Sequence, residues 1–215
     1  MPTQVLIVDD HPAVREGLAT YLGSQPDMAV CGEAADVCQA MKMLEDHRPD
    51  VVIVDIQLAD SNGLELVQRI KNRDEKIKVL VWSSSPDSLY AQRALQAGAL
   101  GYINKRHATS RIAEAIRRVR DGRIFLSDET ADQLLAVAAG GRRQLRVCGV
   151  EGLTNRELEI FRLIGQGLTT SQIAESLHRS VNTIESHRTK IKEKLGAKTA
   201  SELNRAAVQW MLENG

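Results

Sequence analysis

The chain reads as an α/β domain built on a five-stranded, doubly wound parallel sheet, followed by an all-α domain of four helices. Three observations predict this. Over the first 120 residues, short apolar runs alternate five times with amphipathic segments. Those runs are continuous and rich in β-branched residues, the mark of strands covered on both faces. From Leu153 onward the periodicity is helical, and three capping boxes punctuate it: Thr154 with Glu157, Thr169 with Gln172, and Thr199 with Glu202.

Each element follows from its own residues. Val5 to Val8 is a buried strand that runs into Asp9-Asp10. Residues 12–23 carry Val14, Leu18 and Leu22 at helical spacing. Met28 to Gly32 is a second strand, and residues 36–47 a helix with Val37, Met41 and Leu44 on one side. Val51 to Val54 is a third strand and ends in Asp55. Residues 63–72 are helical through Leu66 and Ile70. Ile77 to Trp82 is the fourth strand, ending at Ser83. A helix over 87–97 leads to the fifth strand, Leu100 to Ile103, which ends near Lys105. A helix over about 110–120 closes the unit. Right-handed crossovers are expected between the parallel strands.

Residues 122–149 read as a linker with one helix over 128–139, capped by Ser127, and a flexible basic stretch at Gly140-Gly141-Arg142-Arg143. Beyond it, helices are predicted over 155–166, 170–177, 181–195 and 200–212. The second and third are separated by only His178-Arg179-Ser180, the spacing of a helix-turn-helix over about 169–188. The expected domains are therefore 1–121 and 150–215.

Composition narrows the function. The chain has 215 residues, with 28 Lys+Arg against 28 Asp+Glu. Zero net charge excludes a uniformly basic nucleic-acid coat, but not a local basic patch. Two Trp, three Tyr and two Phe are too few for a platform that stacks many bases. Cys31, Cys38 and Cys148 form no C-x-x-C, so neither a zinc site nor a disulfide framework is expected. No apolar run approaches the ~18–20 residues that span a membrane, and the N-terminus lacks a signal-peptide pattern. A soluble, cytoplasmic protein with no membrane partner is expected.

The strand ends carry the chemistry. In a doubly wound sheet, ligands bind beyond the carboxyl ends of the strands. Read in order, those ends are Asp9-Asp10, Asp55, Ser83 and Lys105. Three convergent carboxylates repel one another, and a divalent cation relieves that. Oxygen ligands favour Mg²⁺ over zinc. A lysine and a hydroxyl opposite them suit a phosphoryl group, and attack by an Asp carboxylate on a phosphoryl donor gives an acyl phosphate.

These residues resemble the receiver domain of bacterial two-component response regulators. Asp9-Asp10-His11-Pro12 is similar to the acidic pair of the NarL/FixJ subfamily, Asp55 to Gly63 to the phosphoacceptor loop, and Ala97 to Lys105 to the segment presenting the family's lysine. The resemblance implies that Asp55 is phosphorylated by a sensor histidine kinase. It implies that Asp10, Asp55 and the Gln57 carbonyl hold Mg²⁺, with Asp9 acting through water. Lys105 would pair with the phosphoryl group, and Ser83 and Tyr102 would form the switch pair. His11 reads as a capping or packing residue. Two departures stand out: Arg106 follows Lys105 where many receivers have a proline, and Ala59 replaces a common proline. A trans bond is expected before Arg106. Ser83-Ser84-Ser85 offers three hydroxyls, of which strand register favours Ser83.

The second half resembles the LuxR-type DNA-binding domain, through Leu153-Thr154-Asn155-Arg156-Glu157, Gln172-Ile173-Ala174, Leu177, Ser180, Thr183-Ile184, His187, Ile191 and Lys194-Leu195-Gly196. Arg179 to Lys198 holds six basic and two acidic residues, a local +4. By family position Glu185, Ser186 and Thr189 would meet base edges of double-stranded DNA. Glu185 could accept from a cytosine amine, or else point aside. Arg188, Lys190 and Lys192 are candidates for phosphate contacts. Leu203, Ala207, Trp210 and Met211 share a face of the last helix, either as intradomain core or as the face of a homodimer formed on phosphorylation or on DNA. The resemblance implies a phosphorylation-dependent transcriptional regulator. The alternatives are a receiver acting through protein contacts or without phosphorylation, and, on another chemistry, an Asp-nucleophile phosphatase. The Asp-x-Asp pairing of the last is missing, because position 57 is Gln57.

Overall fold

Val5-Leu6-Ile7-Val8 and Val51-Val52-Ile53-Val54 are at most 1% exposed, so both faces of the central strands are covered, as their unbroken apolar runs require. The computed structural model describes residues 1–58, 61–84, 87–106, 110–138 and 149–214. In chain order the first unit runs β1 (Thr3–Val8), α1 (Pro12–Gly23), β2 (Met28–Ala34), α2 (Val37–His47), β3 (Val51–Val54), β4 (Gln57–Leu58), β5 (Ser61–Asn62), α3 (Gly63–Arg73), β6 (Lys78–Ser83), α4 (Asp87–Gln96), β7 (Gly101–Asn104), α5 (Ser110–Arg120) and α6 (Asp128–Ala138). The main sheet has the order β2-β1-β3-β6-β7, every pair parallel. Strand order reverses between β1 and β3, so a crevice opens at their carboxyl ends.

One face of the sheet packs on α1 and α5 through Leu18, Leu22, Ile112, Ile116 and Val119. The opposite side buries Leu64, Leu66, Val67 and Ile70 of α3. Each such side chain contributes roughly 1.5–3 kcal/mol on burial. Two features go beyond the strand–helix alternation. Gln57–Leu58 and Ser61–Asn62 pair as a small antiparallel ribbon just after Asp55. The segment expected to start a linker at 122 instead continues the first unit. Phe125 is 2% exposed; its N–H donates to the Leu100 carbonyl (2.9 Å), and its carbonyl accepts from the Tyr102 N–H (3.0 Å). It thus extends the open edge of β7, and α6 then packs on α4. Ser127 caps α6 by accepting from the Thr130 N–H. The expected basic stretch at 140–143 lies outside the described residues. There is no cis peptide bond among the described residues, in keeping with the trans bond expected before Arg106.

The chain divides into two compact units, Met1–Ala139 and Gly140–Gly215. The second holds a 3₁₀ turn (Val150–Gly152), α7 (Asn155–Gly165), α8 (Thr170–Ser176), α9 (Val181–Leu195) and α10 (Ala200–Asn214). Thr154 and Thr169 form complete capping boxes. Thr199 accepts from the Glu202 N–H, but the Glu202 carboxylate accepts from the Lys198 N–H instead of closing the box. Ile164, Ile173, Leu177, Ile184, Ile191 and Leu203 fill the core. No helix among the described residues is long and apolar enough to cross a membrane.

Candidate acidic site and candidate nucleic-acid interface

The main-chain ladder delivers the acidic residues to one place. The Asp9 N–H donates to the Ala34 carbonyl at 3.1 Å, Asp55 N–H to Val8 at 2.9 Å, and Lys105 N–H to Ser83 at 2.9 Å. Each functional residue therefore stands one step beyond its strand, still in register. Asp9 and Asp55 are 2% and 4% exposed. Lys105 Nζ spans them, donating to Asp9 Oδ2 at 2.5 Å and to Asp55 Oδ2 at 2.6 Å. It also lies 5.7 Å from the centre of the Trp82 ring, a cation–π distance. Ser83 is fully buried and hydrogen-bonds Asp55. Tyr102 is 1% exposed on the neighbouring strand. Ser85 lies outside the described residues, as do Ala59 and Asp60.

Burial raises the Asp55 pKa, and the Asp9 charge adds to the rise against the attraction of Lys105. Burial pulls the Lys105 ammonium down, but Asp55 and Asp9 outweigh it and hold the pKa above the ordinary lysine value. Asp10 is more open. Its Oδ1 is buried with no hydrogen bond among the described residues; His11 Nδ1 stands 2.7 Å away but does not make one. One atom each from Asp9, Asp10, His11 and Asp55 lies within 4.8 Å of all the others. This donor set, with an orphaned carboxylate oxygen, fits a divalent cation. His11, expected as a capping or packing residue, is the N-cap of α1 through its backbone carbonyl, and its side chain, which makes no cap bond, stands among the acidic groups. Trp82 was missed as well, because a strand apolar residue carries no signal of what stands above its ring.

In the second unit, Ser180 accepts from the Thr183 N–H at 3.1 Å and starts α9. Ile184 and Ile191 face inward, which turns Asn182, Glu185, Ser186, Thr189 and Lys190 outward, all exposed. Asn182 went unnoticed, although it lies one helical turn before Glu185 and Ser186. The Ser186 hydroxyl donates to the Asn182 carbonyl at 2.9 Å, so only its lone pairs face out. Lys192 is half-buried. Arg188 departs from its expected role as a phosphate contact. Its side chain is 11% exposed and lies 3.8 Å from Glu185, and Nη2 donates to Asn204 Oδ1 at 3.4 Å. It braces α9 against α10. Lys194 donates at 2.5 Å to Glu157, which is 3% exposed. The Glu157 pKa is lowered: burial pushes it up, but hydrogen bonds from Lys194 and Thr154 outweigh that. His187 Nδ1 is buried with no hydrogen-bond partner among the described residues. Burial, then the Lys190 and Arg156 charges, lower its pKa.

The α10 face resolves toward the core. Leu203 and Ala207 are fully buried, and Trp210 meets Phe161 of α7 with ring centres 6.0 Å apart. A Cβ built on Gly165 of α7 would stand 2.5 Å from Met211 Cγ and 2.6 Å from the Ala207 carbonyl oxygen. Leu203 and Ala207 thus belong to the core of their own unit, while Trp210 and Met211 contact α7 and remain partly exposed. The large apolar residues exposed on α10 are Val208 and Leu212.

Comparison with known proteins agrees with this geometry. A family model described as response regulator receiver domain matches residues 5–117, and one described as bacterial regulatory proteins, luxR family, matches 151–207. The transcriptional activator protein ExaE of Pseudomonas putida is 33% identical over 209 residues, 95% of each chain. The transcriptional regulatory protein LiaR of Bacillus subtilis is 35% identical over 206 residues, also 95% of each. Among solved structures, the response regulator ChrA of a heme-sensing two-component system is 31% identical over 98% of both chains, with a TM-score of 0.53. RcsB from Salmonella enterica bound to promoter rprA, at 24% identity and a TM-score of 0.67, covers 97% of this chain and 99% of its own, and shares the fold.

Proposed function

The chain belongs to the response regulators that join a receiver domain to a luxR-family regulatory domain, and from that membership we propose that Asp55 is the phosphoacceptor that governs DNA binding. The protein is a transcriptional regulator of the two-component type and not an enzyme.

A sensor histidine kinase is the donor. One Asp55 carboxylate oxygen forms a bond to phosphorus as the bond from phosphorus to the kinase imidazole nitrogen breaks, leaving an acyl phosphate on Asp55. Asp10, Asp55 and the Gln57 carbonyl would hold Mg²⁺, with Asp9 acting through water, and the ion would supply screening of the negative charge on carboxylate and phosphoryl group. Lys105 moves its Nζ from the carboxylates to a phosphoryl oxygen. Ser83 donates to another, and Tyr102 packs behind it. The observation that carries this reading is Lys105 Nζ bridging Asp9 and Asp55: a cation already sits where the phosphoryl charge would arrive.

The second unit reads double-stranded DNA in the major groove with the outward face of α9: Asn182, Glu185, Ser186 and Thr189 toward bases, Lys190 and Lys192 toward phosphates. The protein acts in the cytoplasm as a homodimer, on two half-sites about one helical turn apart. Val208 and Leu212 supply the apolar part of its α10 contact. The test is labelling by acetyl phosphate with Mg²⁺. The wild type labels and Asp55→Asn does not; equal labelling of the variant refutes the assignment.

A further inference from the structure

We propose that Thr170, on α8, is a positioning residue that aims Glu185 of α9 at a cytosine amine in each half-site. The inference rests on the reading of α9 as the base-reading helix. Thr170 Oγ1 donates to Glu185 Oε1 at 2.8 Å. A carboxylate can only accept, so the direction of this bond is fixed. The Thr170 hydroxyl is not occupied by its own helix end, because Thr169 is the N-cap and accepts from the Gln172 N–H. Arg188 stands 3.8 Å from the same oxygen and is itself held by Asn204. Oε1 is thus committed to the protein, while Oε2 makes no hydrogen bond among the described residues. Glu185 is 56% exposed at its side chain, so Oε2 faces outward.

An isolated glutamate on a helix meant for DNA has two faults. It samples many rotamers, and it repels phosphates wherever it swings. The Thr170 bond addresses both. It selects one rotamer, and being neutral it leaves the carboxylate charged and fully accepting. A fixed acceptor discriminates among base edges. In the major groove guanine presents acceptors at N7 and O6, and thymine an acceptor and a methyl group; adenine presents an N6 amine beside the N7 acceptor, whose lone pair repels a carboxylate, and cytosine presents the N4 amine with no acceptor beside it. Thr170 therefore acts on specificity, and Glu185 is the group that touches the base. Arg188, buried and paired, keeps the carboxylate from swinging back along α9.

The experiment selects the full chain, treated with acetyl phosphate and Mg²⁺, against a library of randomised duplexes and sequences the bound pool. Four proteins are compared: wild type, Thr170→Val, Thr170→Ser and Glu185→Gln. Valine keeps the shape of threonine and removes the donor; serine keeps the donor. The wild type and Thr170→Ser should enrich cytosine at one position of each half-site by about fivefold, the low end for one good base contact. Thr170→Val and Glu185→Gln should lose that column and keep the others. The proposal is overturned if Thr170→Val keeps the cytosine column, if Glu185→Gln keeps it, or if Thr170→Val weakens every column equally. A wild-type pool with no enriched sequence refutes the DNA-reading premise itself, and the proposal with it.

Discussion

Substituting Gly63 by alanine tests how tightly the phosphoacceptor loop is closed. Gly63 opens α3, and its N–H donates to the Ile56 carbonyl at 2.8 Å. A Cβ at this position would stand 1.9 Å from the Asp55 carbonyl oxygen, 2.8 Å from Asp55 carbonyl carbon and 2.9 Å from Ile56 Cα. All three are backbone atoms, so no side chain can rotate away. An ordinary contact needs about 3.4 Å (allowing for van der Waals radii), so the first turn of α3 and the end of β3 must part by roughly 1.5 Å. Overpacking of this kind costs about 1–3 kcal/mol, and losing the Gly63 to Ile56 bond adds about 1 kcal/mol. The sum expected is about 3 kcal/mol from the first unit. Because the displaced carbonyl belongs to Asp55 itself, a shift near 1 Å should also slow labelling by acetyl phosphate by about 100-fold. Urea unfolding followed by circular dichroism gives the first number and labelling kinetics the second. Gly17→Ala is the control: its Cβ meets nothing within 4 Å, and inside a helix the change should stabilise by about 0.5–1 kcal/mol. A Gly63→Ala protein that unfolds within about 0.5 kcal/mol of wild type and labels at the wild-type rate would refute the loop closure argued from these distances.

Gly165→Ala should destabilise the second unit by about 2 kcal/mol, since the new methyl meets the Ala207 carbonyl and Met211; a urea midpoint equal to wild type would show that α7 and α10 can part freely. Stability of the second unit should also depend on pH with a definite sign. His187 and Glu157 both have lowered folded pKa values. Their contributions are complete above the unfolded values, about 6.5 for His and 4.3 for Glu, and are lost as pH falls through the folded ones. Thermal melts from pH 7.5 to 3 should show a declining midpoint, and His187→Gln should remove the part of the decline that begins near pH 6.5. A wild-type profile flat from pH 7.5 to 4.5 would count against the burial of His187, and one flat below pH 4.5 against the Lys194 and Thr154 hydrogen bonds to Glu157.

Much of this was legible in sequence, because the informative signals were local. Continuous β-branched runs locate five strands, and their polar termini locate Asp9, Asp55, Ser83 and Lys105. The Ser/Thr caps set the starts of α7, α8 and α9 correctly. What escaped depends on contacts between distant positions. Phe125 looks like a linker residue until β7 is seen to have an open edge for it. Arg188 and Lys194 belong to a basic stripe by composition, yet Asn204 and Glu157 engage them inside the unit. Setting those two aside leaves four of the six cations counted between Arg179 and Lys198, against Glu185 and Glu193. The α10 face was ambiguous because a period of 3.6 marks an apolar stripe without saying what covers it; Gly165 and Phe161 on α7 cover part of it.

On the roles proposed above for Asp55 and Glu185, the two sites solve one physical problem in opposite ways. Each needs a carboxylate held in place without losing the lone pair it must offer. At Asp55 the holder is a cation, Lys105, in a buried pocket where an uncompensated carboxylate would be costly. That partner must be movable, since the incoming phosphoryl group brings charge of the same sign as the carboxylate and needs the ammonium more. At Glu185 the carboxylate is more than half exposed, so water already covers the cost of its charge. A cation in direct hydrogen-bond contact there would compete with the base amine; the near holder is instead the neutral Thr170 hydroxyl at 2.8 Å, with Arg188 no nearer than 3.8 Å. The choice of lysine in one place and threonine in the other follows from burial. It also predicts which of the two could be exchanged: a lysine at 170 would neutralise the acceptor, and a threonine at 105 would leave Asp9 and Asp55 facing each other unpaired.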